Sequence, residues 1–192
     1  MIYINDEIDQ LNTDEVLTQL SEQRREQVLK MKHQPGRQQS AAAYLLLREA
    51  LLQEYGISEA PQFSYGEHGK PMLADHPGLH FNLSHCKGTA LCALSPHPIG
   101  VDIESIREFR DSLAEYTMNE QELLQIRQSA RPDVAFIRLW TMKESLLKLS
   151  GEGIRTSMKD VLSKAEGTVQ FSTVVNLQKN YIYSICEHRQ TD

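Results

Sequence analysis

The chain has little of what many functional classes advertise. Its three cysteines, Cys86, Cys92 and Cys186, are odd in number and unclustered. That excludes a disulfide scaffold, and without a C-x-x-C or C-x-x-H pair it leaves no zinc set. His76 and His80 have the spacing of helical metal ligands, but Pro77-Gly78 between them forbids the helix. No apolar run approaches the roughly 18 residues of a membrane span. The opening M-I-Y-I-N-D-E-I-D lacks a basic stretch and a long apolar segment, so it does not read as a secretion signal. A basic excess is missing as well: the net charge is −6, which argues against general nucleic-acid binding. The expectation is a cytoplasmic protein in a reducing setting, with neither nucleic acid nor membrane as partner.

What is present suffices for a real core. At 192 residues and 40% hydrophobic content the chain makes one domain or two small ones. Charge is uneven along it. Residues 1–20 carry Asp6, Glu7, Asp9, Asp14 and Glu15 with no Lys or Arg; residues 21–40 carry Arg24, Arg25, Lys30, Lys32 and Arg37 against Glu22 and Glu26. A solvated helix face accounts for such a run on its own. On an acidic protein, a basic patch is also where a phosphate-bearing ligand would bind.

The pattern predicts a first strand at Ile2–Ile4, then short helices capped by Thr13 and Ser21, the second reaching Met31. Pro35 opens a longer helix with Gly56 as its stop. Strands follow at Gln62–Tyr65, Leu79–Leu83, Thr89–Leu94 and Ile99–Ile103. Asn119-x-x-Glu122 reads as a capping box. Another helix runs from Pro132 to Ser150 and stops at Gly151, with Gly153 in a turn, and Val169–Val175 and Tyr181–Cys186 close the chain as an antiparallel pair. Helices and strands in this order make an α+β protein. Two halves, 1–97 and 98–192, join near Ser95–Ile99 without a flexible linker or a legible internal repeat.

Two fragments carry the chemistry. In G-V-D-I-E, Asp102 and Glu104 occupy alternate strand positions and point the same way, outward from Ile99, Val101 and Ile103. In W-T-M-K-E-S-L-L-K, Trp140, Glu144 and Lys148 fall on one helical stripe. Each signal has an ordinary explanation: an exposed strand face, a core tryptophan, surface lysines at 143 and 148 in weak ion pairs. Together, three carboxylates and a cation suggest a magnesium site for a phosphorylated substrate.

With Gly69-Lys70-Pro71 and Phe81-Asn82-Leu83-Ser84-His85, these fragments resemble the motifs of the Sfp-type 4′-phosphopantetheinyl transferases. The likeness runs from about Leu20 to Gly153. It implies two similar α+β halves related by a pseudo-twofold, with the active site in the cleft between them, in a monomer. It implies transfer of the phosphopantetheine arm of coenzyme A to a serine of an apo acyl or peptidyl carrier protein, releasing adenosine 3′,5′-bisphosphate. The nucleophile then belongs to the partner, which is why the chain shows no catalytic triad.

By the same resemblance, Asp102, Glu104 and Glu144 surround Mg2+, with Asp102 also facing coenzyme A. Glu144 and Lys148 are the catalytic pair; Glu144 is base, metal ligand or both, and Lys148 sits at the pyrophosphate. Lys143 is family-like without an assigned ligand. Lys70 lies on the adenine side, and Arg24, Ser84 and His85 hold the 3′-phosphate. Glu120 has a supporting role. The carrier docks near Arg107 and Arg110, with Leu123, Leu124 and Ile126 as apolar surface or core. The chain departs from the family at Gln27 and Gln39, where basic residues are expected, leaving Lys30, Lys32 or Arg37 as substitutes. A magnesium-dependent phosphohydrolase and a non-catalytic binder of coenzyme A or carrier are the competing readings.

Overall fold

Strand β1 (Ile2–Asn5) leads through a 3-10 turn at Ile8–Gln10 into α1 (Thr13–Leu17). The cap of α1 is Asn12, whose side chain accepts from the Asp14 amide, so the helix begins one residue earlier than a Thr13 cap would start it. Ser21 caps α2 (Glu22–Leu29) as expected, by accepting from the Arg24 amide. This helix stops short of Met31 because Arg37 donates to the carbonyls of Leu29 and Met31 at its end. Helix α3 (Gln34–Tyr55) carries Pro35 in its first turn, where no amide proton is needed, and ends at Gly56 with φ 67°. The structure describes residues 1–151 and 157–189; Gly153 lies outside them.

Two short strands, β2 (Phe63–Tyr65) and β3 (Pro71–Leu73), pair as a hairpin, the second of them unanticipated. Gly69, at φ 80°, takes the left-handed position in its turn. Strands β4 (His80–Cys86) and β5 (Thr89–Ser95) form a second hairpin, and β1 adds to β5, giving the order β1-β5-β4, all antiparallel. Helix α3 lies on the face bearing Phe81, Ala90, Cys92 and Leu94, against which it packs Ala42, Ala43, Leu46, Leu47, Ala50 and Leu51. This unit comprises Met1–Pro98.

The second unit, Ile99–Asp192, begins with β6 (Ile99–Ser105). An unanticipated helix, α4 (Asp111–Thr117), precedes α5 (Glu120–Gln128), where Asn119 and Glu122 close the capping box. Helix α6 (Pro132–Ser150) follows and ends at Gly151 with φ 72°. After a 3-10 turn at Met158–Asp160 and the short α7 (Val161–Lys164), strands β7 (Val169–Asn176) and β8 (Tyr181–His188) complete an antiparallel sheet in the order β6-β8-β7. Both units thus run strand, long helix, hairpin, with the first strand paired to the last. Among the described residues no helix is long and apolar enough to cross a membrane.

Candidate active site

Gly100 sets the geometry of the second unit. Strand alternation puts it on the same face as Asp102 and Glu104. A Cβ at this position would lie 2.0 Å from the Ser145 carbonyl oxygen and 2.5 Å from the Leu149 nitrogen. The backbone of α6 therefore rests directly on the glycine, and the acid-bearing face of β6 is the face the helix covers. Thr141 anchors the same contact: its hydroxyl meets that of Ser184, the β8 partner of Asp102, at 2.8 Å.

This corrects the expectation of outward-facing carboxylates. Asp102 is buried, only 4% exposed, and Glu104 is partly so. Lys148 donates from Nζ to Asp102 Oδ1 at 2.7 Å. Arg107 Nη2 stands 3.5 Å from Glu104 Oε2. Burial raises the Glu104 carboxyl above the usual range, and the charge of Asp102 adds to it, against Arg107 and Lys148, with Glu144 contributing further. Glu144 is raised by burial and by Asp102, against Lys148. The three acids thus feel one another and one ammonium. Among the described residues no three such side chains stand close enough to form a ready-made metal cluster. Their oxygens are nevertheless the hard donors that Mg2+ prefers, and a divalent cation would offset the mutual repulsion of three neighbouring carboxylates.

Two other residues stand where the sequence did not put them. Lys143 is no surface lysine: it is fully buried, and its ammonium donates to Glu122 at 2.7 Å, Thr117 O at 3.0 Å and Met158 O at 2.6 Å. Its spacing was the signal, since Leu139, Lys143 and Leu147 form a buried i, i+4 stripe beside the one carrying Glu144. Glu120 is exposed, and Glu122 is the acid that faces inward. Trp140 packs beside Phe136, ring centroids 5.9 Å apart. It also borders a groove of about 520 Å³ lined by Arg107, Phe109, Arg110, Leu113 and Tyr116. The apolar surface beside the two arginines thus comes from α4, the segment before it and α6. Leu123 and Ile126 of α5 pack in the core, and Leu124 is exposed elsewhere on that helix.

In the first unit, Arg24 is half-buried. It donates to Ser40 O at 3.1 Å and Gln27 Oε1 at 3.2 Å, and its guanidinium lies 5.9 Å from the Tyr44 ring centre. Burial lowers its pKa. Gln27 also donates to the Tyr65 hydroxyl at 3.1 Å, and Gln39 donates to Cys86 O at 3.0 Å. Consecutive residues of α3, Gln39 and Ser40, thereby tie Arg24 to the end of β4. His85 is exposed on the α3 face, opposite Ala90, while Ser84 points to the other face and is buried. Of the substitutes, Lys30 and Lys32 are exposed, and Arg37 is engaged at the end of α2. Lys70, its pKa lowered by burial, closes the β2–β3 turn beside a small cavity of about 140 Å³ that His80 also lines.

The profile of the 4′-phosphopantetheinyl transferase superfamily matches residues 98–190. Across a longer stretch, the chain is 31% identical to the 4′-phosphopantetheinyl transferase ffp of Bacillus subtilis over 156 residues, 80% of this chain and 70% of that protein. The chain belongs to this superfamily. A further superfamily relative, the 4′-phosphopantetheinyl transferase HetI of Nostoc, is 42% identical over 101 residues, 48% of this chain and 43% of that one. The holo-[acyl-carrier-protein] synthase AcpS of Neisseria meningitidis aligns over 48% of this chain and 98% of its own, with 20% identity and a TM-score of 0.40, too low to decide anything. The superfamily profile spans Asp102, Glu104, Glu144 and Lys148 and leaves Arg24, Lys70, Ser84 and His85 outside it.

Proposed function

We propose that the protein transfers the 4′-phosphopantetheine arm of coenzyme A to a serine hydroxyl of an apo acyl or peptidyl carrier protein and releases adenosine 3′,5′-bisphosphate. The observation that carries this reading is the seating of α6 on Gly100, which sets Lys148 on Asp102 beside two carboxylates of raised pKa. In the reaction the serine oxygen bonds to the phosphorus bearing the pantetheine, and the bridging P–O bond to the adenosine bisphosphate breaks. Such a transfer needs alignment and charge neutralisation more than covalent help from the enzyme.

Glu144, one helical turn before Lys148 on α6, is the carboxylate we assign to take the serine proton, to hold the ion, or both. Lys148 brings an ammonium to the pyrophosphate oxygens, where charge accumulates as the bond breaks. Asp102, Glu104 and Glu144 are the residues that would hold Mg2+, and when bound the ion supplies further neutralisation of those oxygens. Arg24 and His85 are the groups we assign to the 3′-phosphate, with Lys70 on the adenine side. Because Ser84 and His85 project from opposite faces of β4, their side chains do not share one ligand group from one side of the sheet. The groove beside Arg107 and Arg110 receives the carrier, whose acidic surface would match the two arginines on a protein of net charge −6. A single copy of the chain suffices for this reading.

Intact-mass measurement tests it. Apo carrier incubated with the protein, coenzyme A and Mg2+ is expected to gain roughly 340 Da, the mass of one arm. Release of adenosine bisphosphate without carrier would instead identify a hydrolase, and neither product would leave a binder.

A further inference from the structure

Lys143 and Lys148 sit five residues apart on α6 and do different work. Lys148 is partly exposed, its side chain at 29%, whereas that of Lys143 is at 0%. A buried ammonium is costly unless each of its protons is accepted. Here all three are: by the Glu122 carboxylate, by the last carbonyl of α4 at Thr117 and by the first carbonyl of the 3-10 turn at Met158. All three of its hydrogen-bond partners are acceptors, so no proton of the ammonium is left unmatched.

The acceptors come from three separate segments, and two of those segments, the start of α5 and the 3-10 turn, are also tied to each other. Glu122 Oε2 also accepts from the Asn119 amide at 2.8 Å, and the Asn119 side chain donates to Lys159 O at 3.2 Å. One buried side chain thus fastens α4, the start of α5 and the Met158–Asp160 turn to α6. Glu144 is the next residue of α6, about 100° further round the helix. Whatever fixes the rotation of α6 at position 143 fixes the direction of Glu144 and, one turn on, of Lys148.

We infer that Lys143 is a positioning residue for the transfer. It never meets coenzyme A; it holds α6 in the rotation that aims Glu144 and Lys148 at the acids of β6. The inference rests on the transfer reading for its kinetic readout but not for its structural one.

The test uses full-length wild-type protein, Lys143→Met and Lys143→Met/Glu122→Gln. The single variant strands a buried carboxylate and should lose about 10 °C in Tm. The double variant removes both charges and keeps an acceptor for the Asn119 amide, so its Tm should return to within about 5 °C of wild type. Its kcat should stay at least about tenfold low, with the KM for coenzyme A within about twofold, because alignment and not binding is lost. Recovery of kcat together with Tm would overturn the inference. So would a tenfold rise in KM at unchanged kcat, the mark of a ligand contact.

Hydrogen exchange on wild-type protein gives an arm that needs no variant to fold. The Asp160 amide and the α6 amides around Lys143 should be protected as one cooperative block. Immediate exchange at Asp160 beside a protected α6 would refute the clamp. Wild-type protein that modifies no carrier would sink the transfer reading while leaving this result to stand.

Discussion

The acid-and-cation region of the second unit and the basic region of the first are built in opposite ways. In the second, charges lie at alternate positions of one strand and successive turns of one helix, and a single glycine lets the two backbones touch. In the first, Arg24, Gln39 and His85 come from α2, α3 and β4 and are joined through neutral groups, with Ser40 O and Cys86 O as the links. Placement in the one is fixed by backbone contact; in the other it depends on side-chain amides. The acids of the second unit are thus rigidly framed, whereas the basic region we assign to the 3′-phosphate has room to change its residues. The superfamily profile, matching residues 98–190, follows the same division.

The largest effect should come from the glycine. In Gly100→Ala a methyl group would collide with the α6 backbone, which cannot rotate away as a side chain would. A loss of about 3 kcal/mol, roughly 6–12 °C in Tm, is expected, with transfer abolished. A melting curve and the intact-mass assay read both. Unchanged stability would mean that α6 does not rest on β6 as described.

Glu144→Gln comes next and should lower kcat by about 10²- to 10⁴-fold as the base is lost. Its stability effect has the opposite sign. The folded carboxyl has a raised pKa, so its favourable contribution exists in acid and disappears as pH rises through that value. In EDTA at pH 7 the variant should therefore melt about 2 °C above wild type, with the gain fading near pH 4. Equal Tm differences at both pH values would remove burial as the cause.

The sequence made some of this legible and hid the rest for physical reasons. Asp102, Glu104, Glu144 and Lys148 obey local periodicities of two and about four, which spacing alone reveals. The cover over Asp102 was hidden because it depends on how closely α6 approaches, a tertiary fact written only in the missing side chain of Gly100. Lys143 misled because lysine is seldom buried, and its acceptors at 117, 122 and 158 are dispersed along the chain. Helix caps at Ser21, Asn119 and Gly56 were readable since each acts within a few residues. The strand Pro71–Leu73 was too short to show a period, and α4 carried no cap signal at Arg110.

Smaller effects separate the two regions further. Arg24→Gln should raise the KM for coenzyme A by about tenfold or more, the worth of one charge-assisted contact. With dephospho-coenzyme A the variant and wild type should match; an equal penalty with both would show that Arg24 supports only the fold around Ser40. The smallest change belongs to the rim. Arg107→Glu/Arg110→Glu should raise the KM for carrier severalfold, more at low salt, and leave that for coenzyme A in place. Equal rises for both substrates would move the carrier elsewhere.

In the proposed reaction the acids of β6 and α6 form a cation-dependent centre. Transfer followed by carrier mass in EDTA and then with added Mg2+ tests it most directly. No gain is expected in EDTA, with full recovery of the roughly 340 Da shift on adding Mg2+ and a higher half-saturating Mg2+ concentration in Glu104→Gln. Undiminished transfer in EDTA, or an unchanged Mg2+ requirement in that variant, would contradict it.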